Sequence, residues 1–176
     1  ITRNDGVGRA LCIGTDGNLW VGLYNNAEYF KVSAVDGRTL AGPVGTNGQP
    51  NYGCLIDQNG TLWGANWGNS ALTRIANTGS NTGPYTVRTI PVLPVYGLAL
   101  RRDANNVTRV IMGGSCSSYA EHVDDGTDNY GLPAQVNYCS YAVGTDNDGN
   151  ITVSKTGGGV VKFDPTGQVI WDKGSQ

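Results

Sequence analysis

Tyr52-Gly53-Cys54-Leu55-Ile56-Asp57-Gln58-Asn59-Gly60-Thr61-Leu62-Trp63 is a β-hairpin spelled out in side chains. A short apolar run meets Asn-Gly, a pair that tolerates positive φ, and a second apolar run follows. The same phrase stands earlier as Ala10-Leu11-Cys12-Ile13-Gly14-Thr15-Asp16-Gly17-Asn18-Leu19-Trp20. Two weaker copies follow. Tyr96-Gly97-Leu98-Ala99-Leu100-Arg101 leads to Asn105-Asn106-Val107-Thr108-Arg109-Val110, and Tyr141-Ala142-Val143-Gly144-Thr145-Asp146 leads to Asp148-Gly149-Asn150-Ile151-Thr152. The small residues at 10, 53, 97 and 142 recur at intervals of 43, 44 and 45. The third copy lacks a turn glycine, which predicts a turn two residues longer than the others.

A third run aligns across repeats as Tyr29-Phe30-Lys31-Val32, Leu72-Thr73-Arg74-Ile75 and Val160-Val161-Lys162-Phe163. A weaker fourth run reads Thr39-Leu40, Thr86-Val87-Arg88-Thr89-Ile90, Ala134-Gln135-Val136 and Gln168-Val169-Ile170-Trp171. Each unit is therefore expected to be four short antiparallel strands, in blades of approximately 8–44, 51–90, 95–136 and 140–176. Four-stranded units at this period are β-propeller blades, because one such sheet cannot cover both of its own faces and must stack on the next. The expected fold class is all-β, a single domain over 1–176 that is either a partial propeller or a four-bladed unit. A partial propeller would expose the outer faces of its end blades, so further blades or a second copy are expected there.

Composition narrows the function classes. Charged residues are 15% and the net charge is −2. No basic cluster exists beyond Arg101-Arg102, which disfavours an electrostatic nucleic-acid binder. No apolar run approaches the ~18 residues of a membrane span. Four cysteines and one histidine do not fit a zinc site, because no two cysteines stand two to four residues apart. Cysteine usage, scarce lysine and abundant Asn, Gly, Thr and Tyr point to an extracytoplasmic, secreted chain. It starts at Ile1, which agrees with a removed signal peptide or a piece of a longer protein. Asn59-Gly60-Thr61, Asn106-Val107-Thr108 and Asn150-Ile151-Thr152 match glycosylation acceptors, a pattern that also arises by chance in such a chain.

The first two hairpins, with the closing Val161-Lys162-Phe163-Asp164-Pro165-Thr166-Gly167, resemble blades of the streptogramin lyase (virginiamycin B lyase-like) and NHL-type β-propellers. The resemblance implies the fold over nearly the whole chain. It leaves function open, since such propellers host lyases, lactonases, lectins and interaction modules. The lyase implied by the resemblance uses a divalent metal held by glutamates, with histidines as acid and base. This chain has Glu28, Glu121 and His122 alone for those roles, so the lyase site does not carry over.

His122 aligns with Lys31, Arg74 and Lys162, where the repeat is expected to place a solvated basic side chain. Glu121 and His122 are neighbours on a strand and point to opposite faces. Asp146-Asn147-Asp148-Gly149-Asn150 alternates oxygen ligands like a calcium loop, yet Gly157 stands where a twelfth-position acid belongs. A hairpin turn is the better reading. The Asp124-Asp125-Gly126-Thr127-Asp128 cluster reads as a solvated loop. No nucleophile or phosphate-cradling motif occurs, and no catalytic, metal or cofactor residues are assigned.

Aromatics are the stronger lead. Nine Tyr and four Trp stand against two Phe, so most rings carry a polar edge. Tyr52, Tyr96 and Tyr141 recur where the innermost strand begins, with Arg9 in that place in the first repeat. Tyr24 and Trp67 lie in second-to-third-strand loops that reach the same end. These six residues are the candidate binding set, at a propeller's channel mouth; for the recurring tyrosines, blade packing with a hydroxyl cap is favoured over ligand binding, because recurrence in every blade is also what packing requires. Trp20 and Trp63 lie within strands and are expected in inter-blade packing. Cys116 and Cys139 sit in loops that neighbouring blades bring together, which predicts a disulfide. Cys12 and Cys54 point to opposite faces of their own sheets, which predicts two buried thiols.

The resulting expectation is a binding or interaction module for a glycan or protein rather than an enzyme. The alternatives are a metal-dependent lyase or lactonase with an incomplete site, and a self-assembling structural unit.

Overall fold

The computed structural model describes residues 6–114, 116, 119–134 and 138–174. Among them the regular structure is entirely strand, in four antiparallel sheets. Sheet one is β1 (Gly8–Ile13), β2 (Leu19–Leu23), β3 (Glu28–Val32) and β4 (Thr39–Gly45). Sheet two is β5 (Gly53–Ile56), β6 (Leu62–Asn66), β7 (Ala71–Ala76) and β8 (Thr86–Pro91). Sheet three is β9 (Gly97–Arg102), β10 (Thr108–Gly113), β11 (Ala120–Val123) and β12 (Tyr130–Gly131). Sheet four is β13 (Ser140–Thr145), β14 (Ile151–Lys155), β15 (Gly159–Phe163) and β16 (Val169–Gly174). Every strand pairs with the next in sequence, so each sheet is a meander of the kind the repeat predicts. The chain divides into two compact units, Ile1–Pro91 and Val92–Gln176. No helix of the described residues is long and apolar enough to cross a membrane.

The turns explain why the repeat works. In the β5–β6 turn the Asp57 N–H donates to the Thr61 carbonyl at 2.9 Å and the Gly60 N–H to the Asp57 carbonyl at 3.0 Å. Asp57 Oδ1 then accepts the N–H groups of Asn59 and Thr61, both at 2.9 Å. The same frame recurs around Asp103, Asp146 and Asp164. Its fourth residue needs positive φ, supplied by Gly60 (74°), Gly149 (77°) and Gly167 (89°). The third repeat uses Asn106 at 64°, the residue after Gly that best tolerates this region. Its turn is therefore no longer than the others, which corrects the expectation. The two extra residues lie in β9, which has six residues where β5 has four. The third repeat differs in a second place. The fourth run was expected at Ala134-Gln135-Val136, of which 135–136 lie outside the described residues. The fourth strand is β12, because a turn through Gly126 (φ 89°) returns the chain at once to pair Tyr130 with His122.

In the first unit, sheets one and two stack face to face. Ala10, Cys12, Trp20, Tyr29 and Val44 of sheet one meet Cys54, Leu62 and Ile75 of sheet two. Trp20 is fully buried and meets Tyr85 edge-on at 5.5 Å. Tyr29 fits because its ring lies over two glycines: a Cβ on Gly22 would stand 2.6 Å from it, and one on Gly64 2.8 Å from its hydroxyl. Cys12 and Cys54 are joined by a disulfide, with Cα atoms 5.7 Å apart. This overturns the expectation of two thiols. Their side chains do point to opposite faces of their own sheets. Stacked sheets, however, present the front of one to the back of the next, so opposite faces are the ones that meet.

In the second unit, Ala99 and Ile111 of sheet three pack on Ile151, Val153, Val161 and Phe163 of sheet four, with Tyr119 tilted on Phe163 at 5.3 Å. Cys116 is bridged to Cys139 across a lone β-bridge.

The basic side chains of the third strands are not uniformly solvated. Lys31 and His122 are fully buried, which corrects their sequence reading. A third strand lies inside its sheet, so a cation on its covered face needs internal partners. Lys31 Nζ lies 2.6 Å from Asp16 Oδ2 and donates to the Gly79 carbonyl at 2.8 Å. His122 Nδ1 lies 2.8 Å from the Asn129 carbonyl oxygen.

Candidate functional site

Three of the six candidate binding residues converge in the first unit. Arg9 is the bulged residue of β1, between the Gly8–Leu23 and Ala10–Gly22 pairs. A bulge bends the strand and re-aims the side chain. The exposed Arg9 guanidinium lies 5.2 Å from the centre of the Tyr24 ring and 5.0 Å from that of Tyr52. The two rings meet edge to face at 6.2 Å. Each cation–π contact at such an exposed site is worth ~0.5–1 kcal/mol.

The backbone holds both rings in place. The Tyr24 N–H donates to the Val7 carbonyl at 2.8 Å and the Tyr52 N–H to the Ala65 carbonyl at 2.9 Å. Asn51, which the sequence reading missed, fixes the two segments to each other. It is fully buried, and its Nδ2 donates to the carbonyls of Leu23 at 3.3 Å and Glu28 at 2.9 Å. Those carbonyls flank the turn that carries Tyr24. The Asn-Tyr-Gly run before β5 is the sequence signal that would have pointed to it.

Tyr96 and Tyr141 form a second pair, in the second unit, with ring centres 5.3 Å apart. Both are partly exposed and have Gly113 beneath them: a Cβ there would stand 2.5 Å from the Tyr141 carbonyl oxygen. Trp67 stands half-buried in the turn after β6.

Glu121 and His122 diverge, as adjacent strand residues must. Glu121 is buried and accepts from two arginines that the sequence reading did not connect to it. Arg101 Nη2 reaches both of its carboxylate oxygens at 2.9 Å, and Arg109 Nη1 reaches Oε1 at 2.7 Å. Asp103 takes the other edge of Arg109, with Nε at 3.1 Å and Nη2 at 3.0 Å. Those bonds and the backbone N–H of Val107, the largest contribution, hold the Asp103 carboxyl below its ordinary range. Asp146 is lowered likewise, first by Lys162, 2.7 Å away, and then by Asn150. Its two backbone acceptances make it the knot of a turn.

The divalent metal that the lyase resemblance implies requires converging carboxylates or imidazoles. Among the described residues no three His, Cys, Asp or Glu side chains gather. Glu121 is occupied by its arginines, and Glu28 lies in the other unit. The residues present do not fit that metal.

No protein-family model matches the chain, and no curated protein matches it. Solved structures do. A streptogramin B lyase superposes with a TM-score of 0.74 at 12% identity, over 99% of this chain and 57% of that one. A virginiamycin B lyase from Staphylococcus aureus gives 0.73 at 13% identity, over 99% of this chain and 57% of the other. A gluconolactonase from Xanthomonas campestris gives 0.68 at 15% identity, over 96% and 62%. At such identities the likeness establishes the fold: these four meanders are β-propeller blades, similar to those of the lyases. The chain spans less than two thirds of the length of those proteins.

Proposed function

We propose that the chain is an extracytoplasmic propeller module that binds a glycan on the Arg9–Tyr24–Tyr52 platform. The observation that carries this reading is the exposed guanidinium lying against two tyrosine rings whose backbones are fixed by Asn51 and β-ladder bonds. Tyrosine faces stack on the C–H side of a sugar while the hydroxyls bond its edges. The guanidinium adds a forked donor for acidic or vicinal oxygens. The rigid support lowers the ordering cost of binding. Two disulfides support an oxidising compartment. Leu11 and Ile13, 62% and 68% exposed on the outer face of sheet one, support association with further blades or a second copy. The lyase and lactonase neighbours support a second reading, a propeller enzyme whose metal site lies outside these residues.

A glycan array probed with the protein and with its Arg9→Ala and Tyr52→Ala variants tests the first reading. Both variants should lose binding by tenfold or more, ~1.4 kcal/mol. Arg9→Ala should leave stability within ~0.5 kcal/mol, because its side chain is exposed. Absence of glycan binding, or binding indifferent to both substitutions, would overturn it. Turnover of a lactone or cyclic depsipeptide dependent on added divalent metal would favour the second reading.

A further inference from the structure

In the first unit the back of one sheet meets the front of the next. The back is the face of sheet one with Cys12, Trp20, Tyr29 and Lys31, and the front is the face of sheet two with Cys54, Ile56, Leu62 and Ile75. The other face of sheet one carries Leu11, Ile13, Leu19 and Val32, each 43 positions before its counterpart in that front. It is a second front, and Leu11 and Ile13 on it are exposed. The second unit holds a matching back. Sheet three covers one face of sheet four; on the other, Lys162 pairs across the ladders with Thr152 and Trp171, as Lys31 does with Trp20 and Ala41. Lys162 Nζ lies 2.7 Å from Asp146 Oδ2, as Lys31 Nζ lies 2.6 Å from Asp16 Oδ2. The cover differs. Lys31 is fully buried, with the Gly79 and Ser80 carbonyls of the β7–β8 connection at 2.8 and 3.4 Å. Lys162 and Asp146 are 24% and 36% exposed. We propose that two copies of this chain associate head to tail, the back of sheet four in one seated on the front of sheet one in the other.

The contact inside the chain shows what such a back accepts: a front whose third strand leads into a loop over the lysine. Sheet one of a second copy supplies both. Its turn 33–38 follows β3 as the Gly79–Ser80 connection follows β7. That turn carries exposed Asp36 and Arg38, opposite in sign to Lys162 and Asp146. The sizes fit as well. The back of sheet one is large, with Trp20 and Tyr29, and the front it meets is small at Cys54 and Gly64. The back of sheet four is small, with Gly144, Thr152 and Val160 where sheet one has Cys12, Trp20 and Tyr29. The front of sheet one is large, with Leu11 and Val21 where sheet two has Cys54 and Gly64. Large therefore meets small in both contacts, and association takes Leu11 and Ile13 out of water. A front on a back is a heterologous contact, in which each copy contributes a different surface. It is independent of glycan binding on the aromatic platform.

Sedimentation of the full chain over a concentration series tests this, with circular dichroism of the dilute protein to show that each variant is folded. The chain should self-associate. A front variant, Leu11→Lys with Ile13→Lys, and a back variant, Thr152→Glu, should each weaken association at least about tenfold. An equimolar mixture of the two variants keeps one intact front and one intact back, and should form a one-to-one complex that neither variant forms alone. A monomer at every concentration, as expected if these faces serve further blades of one chain, would overturn the proposal. So would association that survives either variant, since front-to-front or back-to-back pairing needs one face alone. A mixture that stays monomeric would overturn it as well.

Discussion

The inter-sheet spaces within the two units are built by the same stacking and filled in opposite ways. Between sheets one and two the fill is dry: Trp20, Tyr29, Leu62 and Ile75 pack around a disulfide. Its buried cation, Lys31, is paired at the margin with Asp16 and loop carbonyls. Between sheets three and four, half of the fill is apolar and half is a cluster of Arg101, Arg109 and Glu121 beside an open cavity. An apolar interface stabilises without direction. A charged one stabilises only while every partner is present.

Three perturbations sharpen that contrast. The largest effect is expected from Glu121→Gln, which leaves two guanidiniums facing each other. Breaking a buried pair costs ~3–5 kcal/mol, and about 3 is expected here because Arg109 remains part-exposed and keeps Asp103. Native-state hydrogen exchange should show the loss in β10 and β14 and leave β2 and β6 unchanged; equal loss in both units would break the distinction. Next comes Cys12→Ser with Cys54→Ser. Opening a bridge of sequence separation 42 should cost ~2–4 kcal/mol, read by chemical denaturation, with the loss confined to the first unit. An unchanged midpoint would show that Trp20 and Tyr29 packing suffices without the bridge.

The smallest effect is expected from acid. In the second unit the Val107 N–H and Arg109 hold Asp103 below the ordinary carboxyl value of 3.8, Lys162 and Asn150 do so for Asp146, and the Thr166 hydroxyl and the Gln168 N–H for Asp164. Groups lowered on folding stabilise the native state fully above that value and lose the contribution as pH falls below it. In the first unit Asp16 and Asp36 are lowered: burial opposes the shift at Asp16, but Lys31 and Asn18 outweigh it, and the Ser33 hydroxyl and the Arg38 N–H lower Asp36. Hydrogen exchange at pH 3 against pH 6 should therefore loosen the second unit more than the first. The reverse order would show the turn carboxylates to be unimportant.

Much of the architecture was legible because it is written in short range. The hairpin phrase at 52–63 places strand starts at Gly8, Gly53, Gly97 and Ser140 within a residue or so of the spacing-based expectation. Asp-Gly and Asn-Gly do the same for the turns. The aromatic candidates were also legible in outline, since Arg9, Tyr24 and Tyr52 stand where the repeat begins and where the second strand ends.

What escaped the sequence depends on which surfaces meet. The alternation of side chains placed Cys12 and Cys54 on opposite faces of their sheets, a statement local to each strand. Whether that forbids or requires a disulfide depends on front-to-back stacking, which no strand contains. The repeat set Lys31 and His122 in register with Arg74 and Lys162, but their burial is decided by the neighbouring sheet and the loops that cap them. Arg101, Arg109 and Glu121 are separated by up to twenty residues, and they become one cluster when β9, β10 and β11 pair. Local propensity and periodicity determined the strands, the turns and the blade repeat, because those rest on contacts between near neighbours in the chain. Tertiary structure decided the bridge, the burial of Lys31 and His122, and the cavity, because polar pairing and covalent closure depend on distances that only stacked sheets define.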